Sequence, residues 1–137
     1  MKKLITFLAI LTFSCSENFS FNNPFQNNQE AEKIEISQEF VQGSEDIPLI
    51  FGMIKTEDDT IGFDSSEGSI ISSSYEFTKS KEGVKEFYLK SLPELGWQIT
   101  DENENKLSLK RENEELQIEF TVENQQQIVT FFISSSL

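Results

Sequence analysis

From Ser69 onward the chain alternates apolar and polar residues with a period of two, broken once by a helical period. Ser69 to Phe77 places Ile71, Ser73, Tyr75 and Phe77 on one side and Ile70, Ser72, Ser74 and Glu76 on the other. β-branched and aromatic residues at that period predict a half-buried strand. Ser80 then offers an N-cap hydroxyl. Behind it, Val84, Phe87, Tyr88, Leu92 and Leu95 fall on one helical stripe. Glu86 and Lys90 make a favourable i, i+4 pair on another side. Pro93 disfavours helical dihedrals at Leu92, so the regular helix is expected to end there. Gly96 permits the reversal into Trp97.

Strands are expected again after the corner. Trp97 to Thr100 is short, with Trp97 and Ile99 sharing a face. Lys106 to Arg111 turns Leu107 and Leu109 inward. Glu114 to Glu123 alternates Leu116, Ile118, Phe120 and Val122 against Gln117, Glu119 and Thr121. Asn124 to Gln126 turns the chain. Gln127 to Ile133 then directs Val129, Phe131 and Ile133 inward and leaves Ile128 and Phe132 outside. Ser134 to Ser136 reads as a frayed end.

Upstream of residue 69 the pattern weakens. Ile47 to Ile54 is apolar, but Pro48 and Gly52 interrupt it, which predicts a buried extended segment rather than a central strand. Glu57-Asp58-Asp59 and Asp101-Glu102-Asn103-Glu104 read as solvated turns. Gly62-Phe63-Asp64 leads through a Ser-Ser-Glu-Gly turn into the Ser69 strand. Lys33 to Gly43 fits either a short strand or a loose helix. Together these runs predict an α+β domain over residues 46–137, a single antiparallel sheet with one amphipathic helix packed on one face. The second sheet face, with Ser72, Ser74, Lys110, Gln117 and Glu119, is expected to be largely polar and to face water.

The first 15 residues, MKKLITFLAILTFSC, have a different layout. Lys2 and Lys3 precede an apolar run from Leu4 to Phe13, which falls short of the roughly 20 residues a spanning helix needs. A basic start, a short apolar core and a small residue at the end fit a signal peptide over residues 1–14. Cys15 is the only cysteine, so it has no internal disulfide partner. Its place at the end of the apolar run makes it the expected acyl acceptor of a lipoprotein. The other readings are cleavage nearby that leaves a free or intermolecular thiol, or a cysteine removed with the signal. Ser16 after the cysteine suggests the outer membrane in a diderm cell. Residues 15–45 form a polar tether, lipid-anchored or free, crowded with Asn and interrupted by Pro24. Phe19, Phe21 and Phe25 are unusual in a spacer. They fit docking on the domain, contact with lipid, a motif for a partner, or an accident of composition.

Charge narrows the partners. The chain carries 11 basic and 24 acidic residues, a net charge of −13. Without Lys2 and Lys3 the net charge becomes −15. Such a field repels nucleic acid and anionic headgroups. It favours solubility or a basic partner, and no acidic loop has calcium-site spacing. Histidine is absent, which removes the usual base near neutral pH and the commonest metal ligand. No serine lies in a nucleophile elbow or an S-x-x-K motif, and no glycine-rich phosphate loop is present. Spacing singles out no carboxylate pair for acid–base work. No catalytic residue, cofactor or metal site is therefore expected.

Phe87-Tyr88-x-x-x-Leu92-Pro93-x-x-Gly96-Trp97 resembles a helix-to-strand corner of small exported bacterial proteins with a β-α-β-β-β domain. Asp46-Ile47-Pro48-Leu49 and Phe63-Asp64 are similar to the upstream part of that group in alphaproteobacteria. The likeness covers about residues 46–133. It implies fold and export but no activity, since the group is largely uncharacterised. A looser resemblance is to the small sheet-and-helix domains of outer-membrane assembly lipoproteins. The motif itself has a structural explanation: Phe87, Tyr88 and Leu92 bury the helix, Pro93 and Gly96 turn it, and Trp97 anchors the next strand.

The function expected from these features is a non-catalytic, membrane-anchored interaction domain of the cell envelope with a protein partner. One alternative is a carrier or sensor of a small apolar ligand held between helix and sheet. Another is an inhibitor of a basic envelope enzyme.

Overall fold

The computed structural model describes residues 32–136 of the chain. The expected signal, Cys15, Phe19, Phe21 and Phe25 all lie outside the described residues. The described part is mostly β, with eight strands and one helix. In chain order these are β1 (Ile36–Phe40), β2 (Pro48–Ile50), β3 (Ile54–Ser65), β4 (Gly68–Phe77), α1 (Lys81–Glu94), β5 (Gln98–Asn103), β6 (Lys106–Arg111), β7 (Glu114–Glu123) and β8 (Gln126–Ser136). β1 and β2 pair as a small sheet of their own, and the other six form a sheet in the order β3-β4-β8-β7-β6-β5. Every neighbouring pair among these strands is antiparallel.

This corrects the single-sheet α+β expectation. Two segments account for the difference. Lys33 to Gly43 contains a true strand, which pairs with the extended Pro48–Ile50 segment outside the main sheet. The stretch from Ile54 to Ser65 is one long strand hydrogen-bonded to β4. The acidic triplet that reads as a turn lies inside it. Between the pairs Lys55–Tyr75 and Thr60–Ser73, four residues of β3 stand against Ser74 alone. Such a bulge absorbs residues that break the period of two, which hides the strand from a pattern reading.

The inner face of the six-stranded sheet carries the core. Tyr75 and Phe77 of β4, Val129, Phe131 and Ile133 of β8, Leu116, Ile118 and Phe120 of β7, and Leu107 and Leu109 of β6 are all buried. Register makes these residues neighbours: Tyr75 faces Val129, Phe131 faces Ile118, and Ile118 faces Leu107. The helix covers this face with Val84, Tyr88 and Leu92. The β1–β2 excursion closes the rest, burying Val41, Ile47, Leu49 and Ile50 in the same cluster. Packing thus includes Val41, upstream of the expected boundary at residue 46.

Helix ends follow local chemistry. The Ser80 hydroxyl accepts from the Gly83 N–H at 3.1 Å and donates to Glu32 at 2.5 Å. The Ser80 hydroxyl and the Ser80 N–H, which donates to the same carboxylate at 3.0 Å, hold the Glu32 carboxyl below its ordinary value. The helix runs two residues past its expected end at Leu92, with Pro93 inside its last turn. Proline there forfeits one late backbone bond, and the carbonyls of the last turn find other donors. Trp97 N–H reaches the Leu92 carbonyl at 3.1 Å and Gly96 N–H reaches that of Pro93 at 3.1 Å. With Gly96 at φ 88°, this is a Schellman termination, and Leu92 and Trp97 on either side of it are both buried in the core.

β6 and β7 have the expected limits. β8 runs to Ser136, so Ser134 to Ser136 are strand residues paired with β4 and β7 rather than a frayed end. β5 reaches Asn103 and takes in Asp101 and Glu102, which were expected in a turn. Asn124 and Gln125 both adopt positive φ, 50° and 69°, the conformation that joins two strands through a tight two-residue hairpin.

Candidate binding groove

The outer face of the sheet is built from the alternate residues of the same strands. One row crosses five of them through successive register pairs: Phe63 to Ile70, Ile70 to Ser134, Ser134 to Glu115, and Glu115 to Lys110. The next row brings Ser72, Phe132, Gln117 and Ser108 together. Between the β3–β4 turn and the β6–β7 turn the first row floors a groove of about 420 Å³, with Glu67 and Glu112 on its rim. An adjoining hollow of about 400 Å³ shares Ile70, Ser134, Glu115 and Lys110 and adds Phe132 and Gln117.

Two apolar side chains stand open in this groove. Phe63 is 66% exposed and Ile70 is 52% exposed, although each is paired across strands with the other. Ser65 hydroxyl donates to the Gly68 carbonyl at 3.1 Å, and Ser69 and Ser135 hydroxyls meet at 2.9 Å. Ser136 N–H reaches the Asn113 carbonyl at 3.0 Å, fixing the end of β8 to the β6–β7 turn. Gly68 allows the floor to close. A Cβ there would lie 2.0 Å from the Ser135 carbonyl oxygen, so no side chain fits without moving a strand. Glu67, Glu112 and Glu115 line the groove against Lys110, and none of the three carboxylates has an ion-pair partner among the described residues.

The helix-to-strand corner carries the other candidate residues, and it belongs to the inner side. Tyr88 is fully buried, and burial pushes its phenol far above the ordinary value. Its hydroxyl donates to the Pro48 carbonyl at 3.0 Å, pinning the helix to β2. Its ring meets Phe131 edge-on at 5.4 Å and Phe87 at 5.0 Å, while Phe131 meets Tyr75 at 5.9 Å. These rings occupy the space between helix and sheet. Trp97 is buried beneath Arg111, whose guanidinium carbon lies 4.3 Å from the indole centroid. Arg111 also binds Asp46, donates to Glu114 at 2.8 Å and reaches the Leu95 carbonyl at 3.2 Å. Burial works to raise the Asp46 carboxyl, but Arg111 and Ser44 outweigh it and hold it below its ordinary value.

The structure therefore brings Phe87, Tyr88, Leu92, Pro93, Gly96 and Trp97 together as a packing corner. It does not bring them to the groove. The groove residues escape a pattern reading because β3 does. With the extended segment ending at Ile54 and Glu57-Asp58-Asp59 read as a turn, Phe63 has no face and Ile70 no apolar neighbour. The usable signal was the placement of Phe63 and Ile70 at equal distances either side of the Ser-Ser-Glu-Gly turn.

Fold and groove define a β-rich domain with one sheet face sealed by a helix and the other carrying an open groove, although Ser74 and Ile128 on that outer face are buried rather than facing water. The family model for START domain-like proteins matches residues 55–130, more than half of the chain, and the chain belongs to that family. The match covers most of the main sheet, the helix and the corner. No curated protein matches the chain, and no solved structure does.

Proposed function

We propose that this protein is a non-catalytic interaction domain, tethered in the cell envelope, that binds a protein partner on the outer face of its six-stranded sheet. One observation carries the reading: Phe63 and Ile70 stand exposed side by side in a groove, while the inner face of the same strands is sealed. Exposed apolar side chains gathered in a concave surface favour an interaction site over scattered surface residues. START domain-like domains are typically binding domains, which supports binding over catalysis. The absence of histidine supports the same choice. The basic start, short apolar core and Cys15 support export with a lipid anchor. The resemblance of the Phe87–Trp97 corner to small exported bacterial proteins supports the same address.

The test is a photo-crosslinking residue in place of Phe63, activated in intact cells. A discrete protein adduct, absent when the crosslinker replaces the exposed Val122 instead, is expected. Failure to capture any specific protein neighbour overturns the reading.

A second reading, a carrier of a small apolar ligand between helix and sheet, has one observation in its favour. The Ser73 hydroxyl is buried on the inner face with no hydrogen-bond partner among the described residues, and such groups call for an explanation. Against it stands the ring packing of Tyr88 on Phe131. Native mass spectrometry of protein purified from its own cells decides it, through the presence or absence of a co-purifying small molecule.

A further inference from the structure

We infer that the occupant of the groove is an extended segment of the partner that combines an aliphatic or aromatic anchor with neighbouring lysine or arginine. This rests on the reading that the outer face binds a protein, and it names the chemistry of that partner.

Two features in one place carry the argument. Phe63 and Ile70 form an open apolar seat. Around it, Glu67, Glu112 and Glu115 form no ion pairs among the described residues. Several carboxylates on the helix side do have ion-pair partners, Glu94 being an exception among the described residues. Glu86 is paired with Lys90 at 2.6 Å, Glu102 with Lys85 at 2.8 Å, and Glu114 with Arg111 at 2.8 Å. The groove holds three carboxylates against the single ammonium of Lys110, within a chain of net charge −13. A positive segment is drawn to such a surface and correctly oriented by it.

Other occupants fit less well. An anionic lipid surface is repelled, as is a second copy of this acidic chain, which would bring the same carboxylates to the seat. The opposite end of the outer face offers a smaller hollow of about 320 Å³ beside Ile54. Its carboxylate, Glu76, already accepts from Gln126 at 3.0 Å. Geometry also limits the segment. Ile70 and Glu115 are two strands apart across β8, roughly 10 Å at ordinary strand spacing. An extended peptide spans that in about two to four residues.

The experiment titrates the full-length protein with three synthetic hexapeptides. One alternates lysine and leucine, one glutamate and leucine, and one lysine and glycine. Amide chemical-shift mapping locates each. The lysine–leucine peptide is expected to bind at the groove at least about tenfold more tightly than either control, and to weaken with added salt. Ile70→Ser and Glu115→Gln are expected to weaken it, while Glu94→Gln, an exposed acid on the helix, is not. Equal binding of the glutamate–leucine peptide overturns the inference, as do shifts spread over the whole acidic surface. Equal loss with Glu94→Gln also overturns it. If the inference fails while the crosslinker at Phe63 still captures a protein in cells, the interaction reading stands and only the basic partner is lost.

Discussion

The two faces of the six-stranded sheet come from alternate residues of the same strands, yet they have opposite fates. The inner face meets a helix and a two-stranded excursion, and its side chains interlock. The outer face carries Phe63, Ile70 and Phe132 among serine, glutamine and carboxylate side chains, with no element of the described chain over the groove. A period of two assigns residues to faces. What then covers a face determines whether its apolar groups stabilise the fold or remain available to a partner.

That comparison breaks most severely at the core. Tyr88→Ala is expected to cost about 3–5 kcal/mol of stability, because it removes a buried ring from a packed layer. Tyr88→Phe keeps the ring but strands the Pro48 carbonyl and is expected to cost about 1–3 kcal/mol. Urea unfolding of the two variants separates packing from the hydrogen bond. If the phenylalanine variant matches the wild type, the bond to Pro48 contributes nothing.

Gly68→Ala tests the outer side at the backbone. Its Cβ has no room before the Ser135 carbonyl, so the β3–β4 hairpin must shift or open, at an expected cost of about 2 kcal/mol. Hydrogen exchange should show the loss confined to β3, β4 and the end of β8. An unchanged exchange pattern there would disprove the close approach.

Acid should reach the inner corner through Asp46. Its folded carboxyl lies below its ordinary value, so its contribution is fully present above the unfolded value of about 3.9. That contribution is lost as pH falls through the lower, folded value. Stability followed by urea from pH 7 to 3 is expected to decline at the acid end. The decline should be shallower in Asp46→Asn. Lys79, Lys81 and Ser80 act on other groups at the far end of the helix, so the difference reports the contacts of Asp46 with Arg111 and Ser44.

The mildest effect on folding is expected at the groove. Phe63→Ser and Ile70→Ser should each change stability by no more than about 0.5 kcal/mol, as exposed substitutions usually do. Their effect should fall on crosslinking and peptide binding. Destabilisation comparable to that of Tyr88→Ala would show that the outer face is structural.

Much of the domain was legible where local physics decides. The Ser80 cap, the buried stripe of α1, the Gly96 turn and the limits of β6 and β7 all follow from side chains a few residues apart. Legibility ended at Ile54 to Ser65, where an acidic bulge conceals a strand. It ended again at Ser134 to Ser136, where three polar residues hold strand geometry only because β4 and β7 flank them. Pro93 shows the same limit in a helix. Its local preference ended α1 early, but the last turn continues because Gly96 and Trp97 supply the donors.

By itself the sequence determined which residues share a face within β4, β6, β7 and β8, where the helix begins and how its corner turns, because those depend on periodicity and nearby hydrogen bonds. Tertiary structure alone decided the strand order β3-β4-β8-β7-β6-β5 and the register between strands. Only that long-range pairing places Phe63, Ile70, Ser134, Glu115 and Lys110 in one row. A face is a property of one strand, whereas a groove needs several distant strands aligned.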